Sequence, residues 1–300
     1  MASNRRAPRT AATALAISLG SVVCTAVHAS TAENGPADES PHVTIEALVD
    51  HADVGPGETF QVAVVQHIKP GWHTYWINPG DAGQATKLNW SLPAGYRIDD
   101  VQWPVAEVFR SGPIVSYGYE GTVALLQDVH TPVSVASKSA TLSVEAHWLE
   151  CQDICIPGQA RAQVSVRQAG APPAGTASPA KALFQRTRER LPKSSPWRSS
   201  LVVSPKKVVV TLYGLAHDLP SESDLHFLPL TWGQIDNAAA QQVQRSGADI
   251  LLTLTRGDLR AAPLDRLTGI LILGPGNGRS QAQGFQVDAT TGGGTAAPRN

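Results

Sequence analysis

The sequence predicts an all-β protein: two β sandwiches joined by a linker that carries one short helix. Three observations lead there. From His42 onward apolar and polar residues alternate with a period of two, in runs rich in Val, Ile and Thr. Turn signals punctuate these runs, and 26 Gly and 22 Pro in 300 residues are enough to close many short strands. Only one stretch, AKALFQRTRERL at 180–191, has a convincing helical character. With 42% hydrophobic and 16% charged residues the chain has the make-up of a globular protein, and a net charge of -1 gives no basic field for a nucleic acid.

Residues 1–29 read as a secretory signal peptide. Arg5, Arg6 and Arg9 form a basic start, 11–23 is an uncharged apolar run, and Val27-His28-Ala29 offers small residues around a cleavage site after Ala29. The run falls short of the roughly 20 residues that a membrane span needs. Cleavage takes Cys24 with it and leaves Cys151 and Cys155 as the mature protein's cysteines, in a compartment where disulfides form. The expected location is the periplasm, with no membrane span.

Residues 40–168 form the first sandwich. HVTIEALVD and FQVAVVQHI read as strands separated by the turn DVGPGET, and further strands are expected at 87–91, 101–103, 122–129, 140–147 and 160–167. The Ala/Gly/Pro-rich stretch QAGAPPAGTASP opens a linker at 169–195. Its helix is expected to start with Ser178 as N-cap and Pro179 at the first helical position, and to stop at Pro192. Leu183, Phe184 and Leu191 are expected to dock on a neighbouring domain. A second, smaller β domain at 196–288 takes SLVVS, KVVVTLYG, DLHFLPL, ADILLTLTR, GILILG and GFQVDA as strands. Residues 289–300, ATTGGGTAAPRN, read as a disordered tail.

The chemistry concentrates in WLECQDICIPG, Trp148 to Gly158. A disulfide needs Cα atoms about 4.4–6.8 Å apart, whereas four residues of straight strand span about 13 Å. A bond between Cys151 and Cys155 therefore requires a turn over Gln152-Asp153-Ile154, where Asp153 is a good turn former. Three roles stay open on the residues alone. A structural staple closing so small a loop gains little. A soft-metal clip for copper or zinc through His147, Cys151 and Cys155 is one ligand short of a tetrahedral structural site. A redox pair suits an exposed, exchangeable small-loop disulfide. Glu150 and Asp153 beside the pair disfavour a thiolate, and His147 favours one.

Aromatic residues gather in the same domain. Trp90 and Trp103 are expected in the core, while Tyr117 and Tyr119 in GPIVSYGYEG read as a glycine-flanked loop that forms either core or a lid and docking face. The sequence contains no GxSxG, HExxH or P-loop motif.

In series, GWHTYWINPGDAG, LNWSLPAGY, VQWPVAEVF, VSYGYEGTVALLQDV and WLECQDICIPG resemble the N-terminal periplasmic domain of the DsbD family of disulfide reductases, in its ScsB-type branch linked to copper sensitivity. LHFLPLTWGQIDNAAAQ, 225–241, resembles the second β subdomain of that branch. The resemblance covers about residues 40–288. It implies immunoglobulin-like sandwiches and a thiol-disulfide oxidoreductase module with Cys151 and Cys155 as redox sulfurs. Cys155 would form mixed disulfides and Cys151 would resolve them. An aromatic cap is expected between Phe109 and Tyr119, with Tyr75 and Trp76 lining the other side. The implied partners are periplasmic thioredoxin-like proteins and a separate membrane electron transporter, because the family's membrane and C-terminal thioredoxin domains are not in this sequence. No cofactor is expected. The alternative is a non-enzymatic copper-binding or copper-tolerance protein using the same cysteines.

Overall fold

The computed structural model describes residues 42–134, 138–168, 180–218, 221, 225–257, 263–274 and 283–292. The stretch expected as a signal peptide, most of the expected linker, Ser178 and Pro179 lie outside the described residues.

The first sandwich packs two four-stranded sheets. In one, β1 (Val43–Val49), β3 (Thr59–Ile68), β9 (Thr122–His130) and β6 (Arg97–Ile98) are neighbours in that order. In the other the order is β2 (Asp53–Val54), β11 (Cys155–Gln168), β10 (Ser139–Cys151) and β5 (Lys87–Ser91). Val64, Leu125, Val144 and Trp148 fill one part of the space between them, and Phe60, Val62, Val129 and Leu142 another. Trp90 and Trp103 pack at the margin of this core, partly buried. A three-stranded sheet, β4 (Thr74–Gly80), β8 (Ile114–Tyr119) and β7 (Glu107–Ser111), sits beside the sandwich in the order β4-β8-β7. The strand expected at 101–103 reduces to an isolated bridge between Gln102 and Leu126.

Strand β3 is apolar on both faces, because the outer face is covered too. The helix α1 (Lys181–Glu189) lays Phe184, fully buried, against Ala63, Val65, Ala124 and Leu126, with Leu183 and Leu191 packed alongside. Arg188 fixes it to the sheet through Gln61 (2.7 Å) and Asp50 (3.0 Å). The observed N-cap is Ala180, which gives no side-chain hydrogen bond; Arg186 and Arg188 in the last turn suit the negative end of the helix dipole. Pro192 follows directly on Leu191, as the end of the helix requires.

The second sandwich pairs β12 (Lys193–Ser194), β19 (Gln283–Thr290), β18 (Arg266–Leu273) and β15 (Leu225–Pro229) in one sheet. The other holds β13 (Ser199–Val203), β14 (Lys207–Leu212), β17 (Asp249–Thr255) and β16 (Gln242–Ser246). Alternation along β14 and β17 supplies Val208, Val210, Ile250 and Leu252 to a core shared with Phe227 and Leu271. The polar strand β16 has no apolar alternation to announce it, and β12 falls in the stretch expected as linker. Strand β19 runs past residue 289, where the tail is expected to begin. Ala289 is fully buried in the second core, Thr290 pairs with Arg266, and Thr291 bridges to Leu201. Ala289 is a core position despite its size, so the lack of large side chains does not mark the end of the strand. Residues 293–300 lie outside the described residues.

The two sandwiches share apolar surface. Leu228, Ile270 and Ile272 of the second join Val105, Val115 and Tyr117 in one buried cluster. Among the described residues no helix is long and apolar enough to cross a membrane.

Candidate functional site

Strands β10 and β11 form one long hairpin, in register from Ser139 opposite Arg167 to Cys151 opposite Cys155. Both strands run well past the expected ends at 147 and 160. Pro157 does not interrupt them. Counting alternately from the last pair, it occupies a non-hydrogen-bonded position opposite Leu149, where no N–H is asked of it. The chain turns over Gln152–Ile154, with the Gln152 N–H donating to the Ile154 carbonyl at 3.2 Å.

Cys151 and Cys155 close the hairpin as a disulfide, with Cα atoms 4.2 Å apart. Their pairing follows from the ladder. Cys151 spends its own N–H and carbonyl on His73, at 3.0 and 2.9 Å, just ahead of β4. It therefore faces Cys155 as a non-hydrogen-bonded pair, the closer of the two antiparallel spacings.

The two sulfurs differ in surroundings. Cys151 is 2% exposed, whereas Cys155 is exposed and follows Ile154, itself 67% exposed at the hairpin tip. Tyr75 of β4 donates its hydroxyl to Cys151 Sγ at 2.8 Å and stands 3.5 Å from Cys155 Sγ. Burial pushes the Tyr75 phenol up, so it is a neutral donor near pH 7. Two glycines seat it. A Cβ on Gly83 would lie 2.2 Å from the Tyr75 ring, and one on Gly118 would lie 1.9 Å from the Thr74 carbonyl oxygen, forcing β4 away from β8.

Aromatic rings extend outward from Tyr75. His73 meets it edge-on at 5.1 Å, and Phe109 stacks on His73 at 4.6 Å and 18°. Phe109, at the start of the stretch expected to hold a cap, thus stacks on His73, which in turn meets Tyr75. Burial lowers the His73 pKa, with Glu120 opposing, so the ring is neutral at pH 7. His73 was missed as a site residue. Its signal was present in WHTYW, where alternation puts His73 and Tyr75 on one face of the incoming strand.

Other expectations need correction. Tyr117 and Tyr119 form neither a loop nor a docking face. They lie in β8, 2% and 1% exposed, and bond to Asn237 Oδ1 and to the Pro104 carbonyl. Trp76 is 1% exposed and meets Tyr117 edge-on in the core, so it does not line the pair's surface. Glu150 is fully buried and, by strand alternation, turns to the face opposite Cys151. It accepts from Trp148 Nε1 at 3.0 Å and lies 3.1 Å from His42 Nδ1, whose ring stacks on Trp72. The three-ligand set for copper does not assemble either. His147 is four residues up the strand, about 13 Å from Cys151 by strand rise, and lies 3.7 Å from Glu145. Among the described residues no group of three or more His, Cys, Asp or Glu is placed to hold a metal ion.

A small disulfide at a hairpin tip, with one cysteine exposed and the other buried under a phenol, is an arrangement suited to thiol–disulfide exchange. Residues 46–166 match the family described as thiol:disulfide interchange protein DsbD, N-terminal. Across both sandwiches the chain is similar in fold to the crystal structure of the N-terminal periplasmic domain of ScsB from Proteus mirabilis. The two share 17% identity with a TM-score of 0.57, over 87% of this chain and 98% of that one. A protein of unknown function from Porphyromonas gingivalis W83 aligns over 81% of this chain and 99% of its own, at 11% identity and a TM-score of 0.22, too low to bear on the fold. No curated protein matches this chain in sequence. The segment that matches this family carries the disulfide, and the second sandwich completes the all-β, immunoglobulin-like architecture.

Proposed function

We propose that this chain is a periplasmic thiol–disulfide exchange module that passes reducing equivalents from a membrane reductase to thioredoxin-like proteins through Cys151 and Cys155. The observation that carries this reading is the asymmetry of the pair: Cys155 exposed, Cys151 buried with the Tyr75 hydroxyl on its sulfur.

In the charging step a thiolate of the membrane donor attacks Cys155 Sγ. A bond forms between donor and Cys155 sulfurs, the Cys151–Cys155 bond breaks, and Cys151 leaves as a thiolate. The Tyr75 O–H then faces a full negative charge, and a hydrogen bond to an ionised acceptor is stronger than one to a neutral acceptor. The donor's second thiolate attacks its own mixed-disulfide sulfur and releases Cys155. Two electrons have moved, and the donor is oxidised. In the discharging step the Cys155 thiolate attacks the partner's disulfide. Cys151 then attacks Cys155, releases the partner as a dithiol and restores the internal disulfide.

The test is the equilibrium of the purified protein against a glutathione redox buffer. Exchange requires a potential within reach of cellular dithiols. A value well below about -300 mV marks a structural disulfide and overturns the reading.

A further inference from the structure

We infer that the second sandwich is a brace that holds the Phe109 hairpin against His73 at the edge of the redox site, with Asn237 as the positioning residue. This rests on the exchange reading of Cys151 and Cys155.

The hairpin β7–β8 has two working faces. Its register pairs Val108 with Tyr117 and Arg110 with Val115, so these four side chains share one face; Phe109 and Ser116 pair on the other. The first face looks onto the second sandwich. Val108, Arg110, Val115 and Tyr117 line a cavity of about 260 Å³ whose far wall includes His226 and Gln241. The second face carries Phe109 onto His73, beside Tyr75 and the disulfide. The hairpin is thus a thin plate between the second sandwich and the sulfurs.

A cavity behind such a plate leaves room for it to shift, and polar bonds across the gap decide its position. Asn237, 6% exposed, makes two of them. Its Oδ1 accepts from the Tyr117 hydroxyl at 3.0 Å, and its Nδ2 donates to Asp81 Oδ1 at 2.8 Å. Asp81 in turn accepts from the Val115 N–H through Oδ2, so Asn237 grips β8 at two points. Asn78, at the end of β4, donates to the Pro229 carbonyl of β15 at 2.7 Å and anchors the neighbouring strand to the same domain. These bonds lie on the side of the plate away from the sulfurs. Loss of the Asn237 bonds frees Phe109 from His73 without touching the disulfide or Tyr75.

The experiment measures reduction of the Cys151–Cys155 disulfide by dithiothreitol in the full-length protein, wild type against Asn237→Ala. Phe109→Ala sets the rate with the ring removed from His73. The brace requires Asn237→Ala to speed reduction toward the Phe109→Ala rate, by roughly tenfold, the equivalent of about 1.4 kcal/mol. A structural role alone lowers the unfolding midpoint and leaves the rate unchanged, so a folded Asn237→Ala protein reduced at the wild-type rate overturns the inference. Should that variant fail to fold, Tyr117→Phe, which keeps the ring and loses only the hydroxyl, decides by the same two results. Dithiothreitol needs no protein partner. A failure of the exchange reading, seen in the redox equilibrium, is therefore distinguishable from a failure of the brace, seen in this rate.

Discussion

Tyr75→Phe removes one atom from the site and isolates the chemistry assigned to it. The hydroxyl sits 2.8 Å from Cys151 Sγ, and Cys151 is 2% exposed, so water is not in place to substitute for it. A hydrogen bond to an ionised group is worth about 1.5–3 kcal/mol. At about 1.4 kcal/mol per pKa unit, losing it should raise the Cys151 thiol pKa by roughly one to two units. With roughly half the charge on the leaving sulfur in the transition state, about 0.8–1.5 kcal/mol is lost there, a fall of about four- to twelvefold in the rate of attack on Cys155. Thiolate absorbance against pH in a Cys155→Ala background gives the first quantity, and stopped-flow reduction by a small thiol gives the second. The ring remains to fill the space between Gly83 and the sulfurs, so packing should change little. A folded Tyr75→Phe protein with an unshifted Cys151 pKa and an unchanged rate would refute the leaving-group role.

Two further predictions concern stability. Glu150→Ala leaves the buried Trp148 indole N–H without its carboxylate, and His42 without its partner. The expected loss is about 1–3 kcal/mol or more in urea unfolding, and a loss near zero would show that water replaces the carboxylate. His73 has its folded-state pKa lowered by burial. The unfolded chain therefore binds the proton first as pH falls through about 6.5, and the His73 contribution to stability is present above that pH and lost on the acid side. His73→Asn should flatten the dependence of the unfolding midpoint between about pH 7.5 and pH 5, and an unchanged slope would place the acid sensitivity elsewhere.

Much of this fold was legible in local pattern. Alternation marked β1, β3, β9, β10 and β11, and the strand-length limit on a Cys151–Cys155 bond located the turn at Gln152–Ile154. What was not legible depends on non-local covering. Glycines around Tyr117 and Tyr119 looked like a loop, but Gly118 is there because β4 passes too close for a Cβ, and both tyrosines are buried by partners far away in sequence. Ala289 looked like tail because its partners are in β18 and the second core. Sequence spacing put His147 near the cysteines, yet a straight strand carries it away from them. The site's asymmetry was hidden for the same reason. Nothing within WLECQDICIPG says that Tyr75 donates to the buried Cys151 while Cys155 stays exposed.

The central claim is that Cys155 is the sulfur partners attack and Cys151 the one that resolves. Single-cysteine trapping tests it directly. Reduced Cys151→Ala and Cys155→Ala proteins are mixed with a periplasmic thioredoxin-like protein that keeps one active-site cysteine, activated as its mixed disulfide with thionitrobenzoate, and protein–protein mixed disulfides are identified by non-reducing electrophoresis and mass spectrometry. The account predicts a stable adduct through Cys155 in the first variant and little or none through Cys151 in the second. No adduct with either variant, or a stronger one through Cys151, would contradict it.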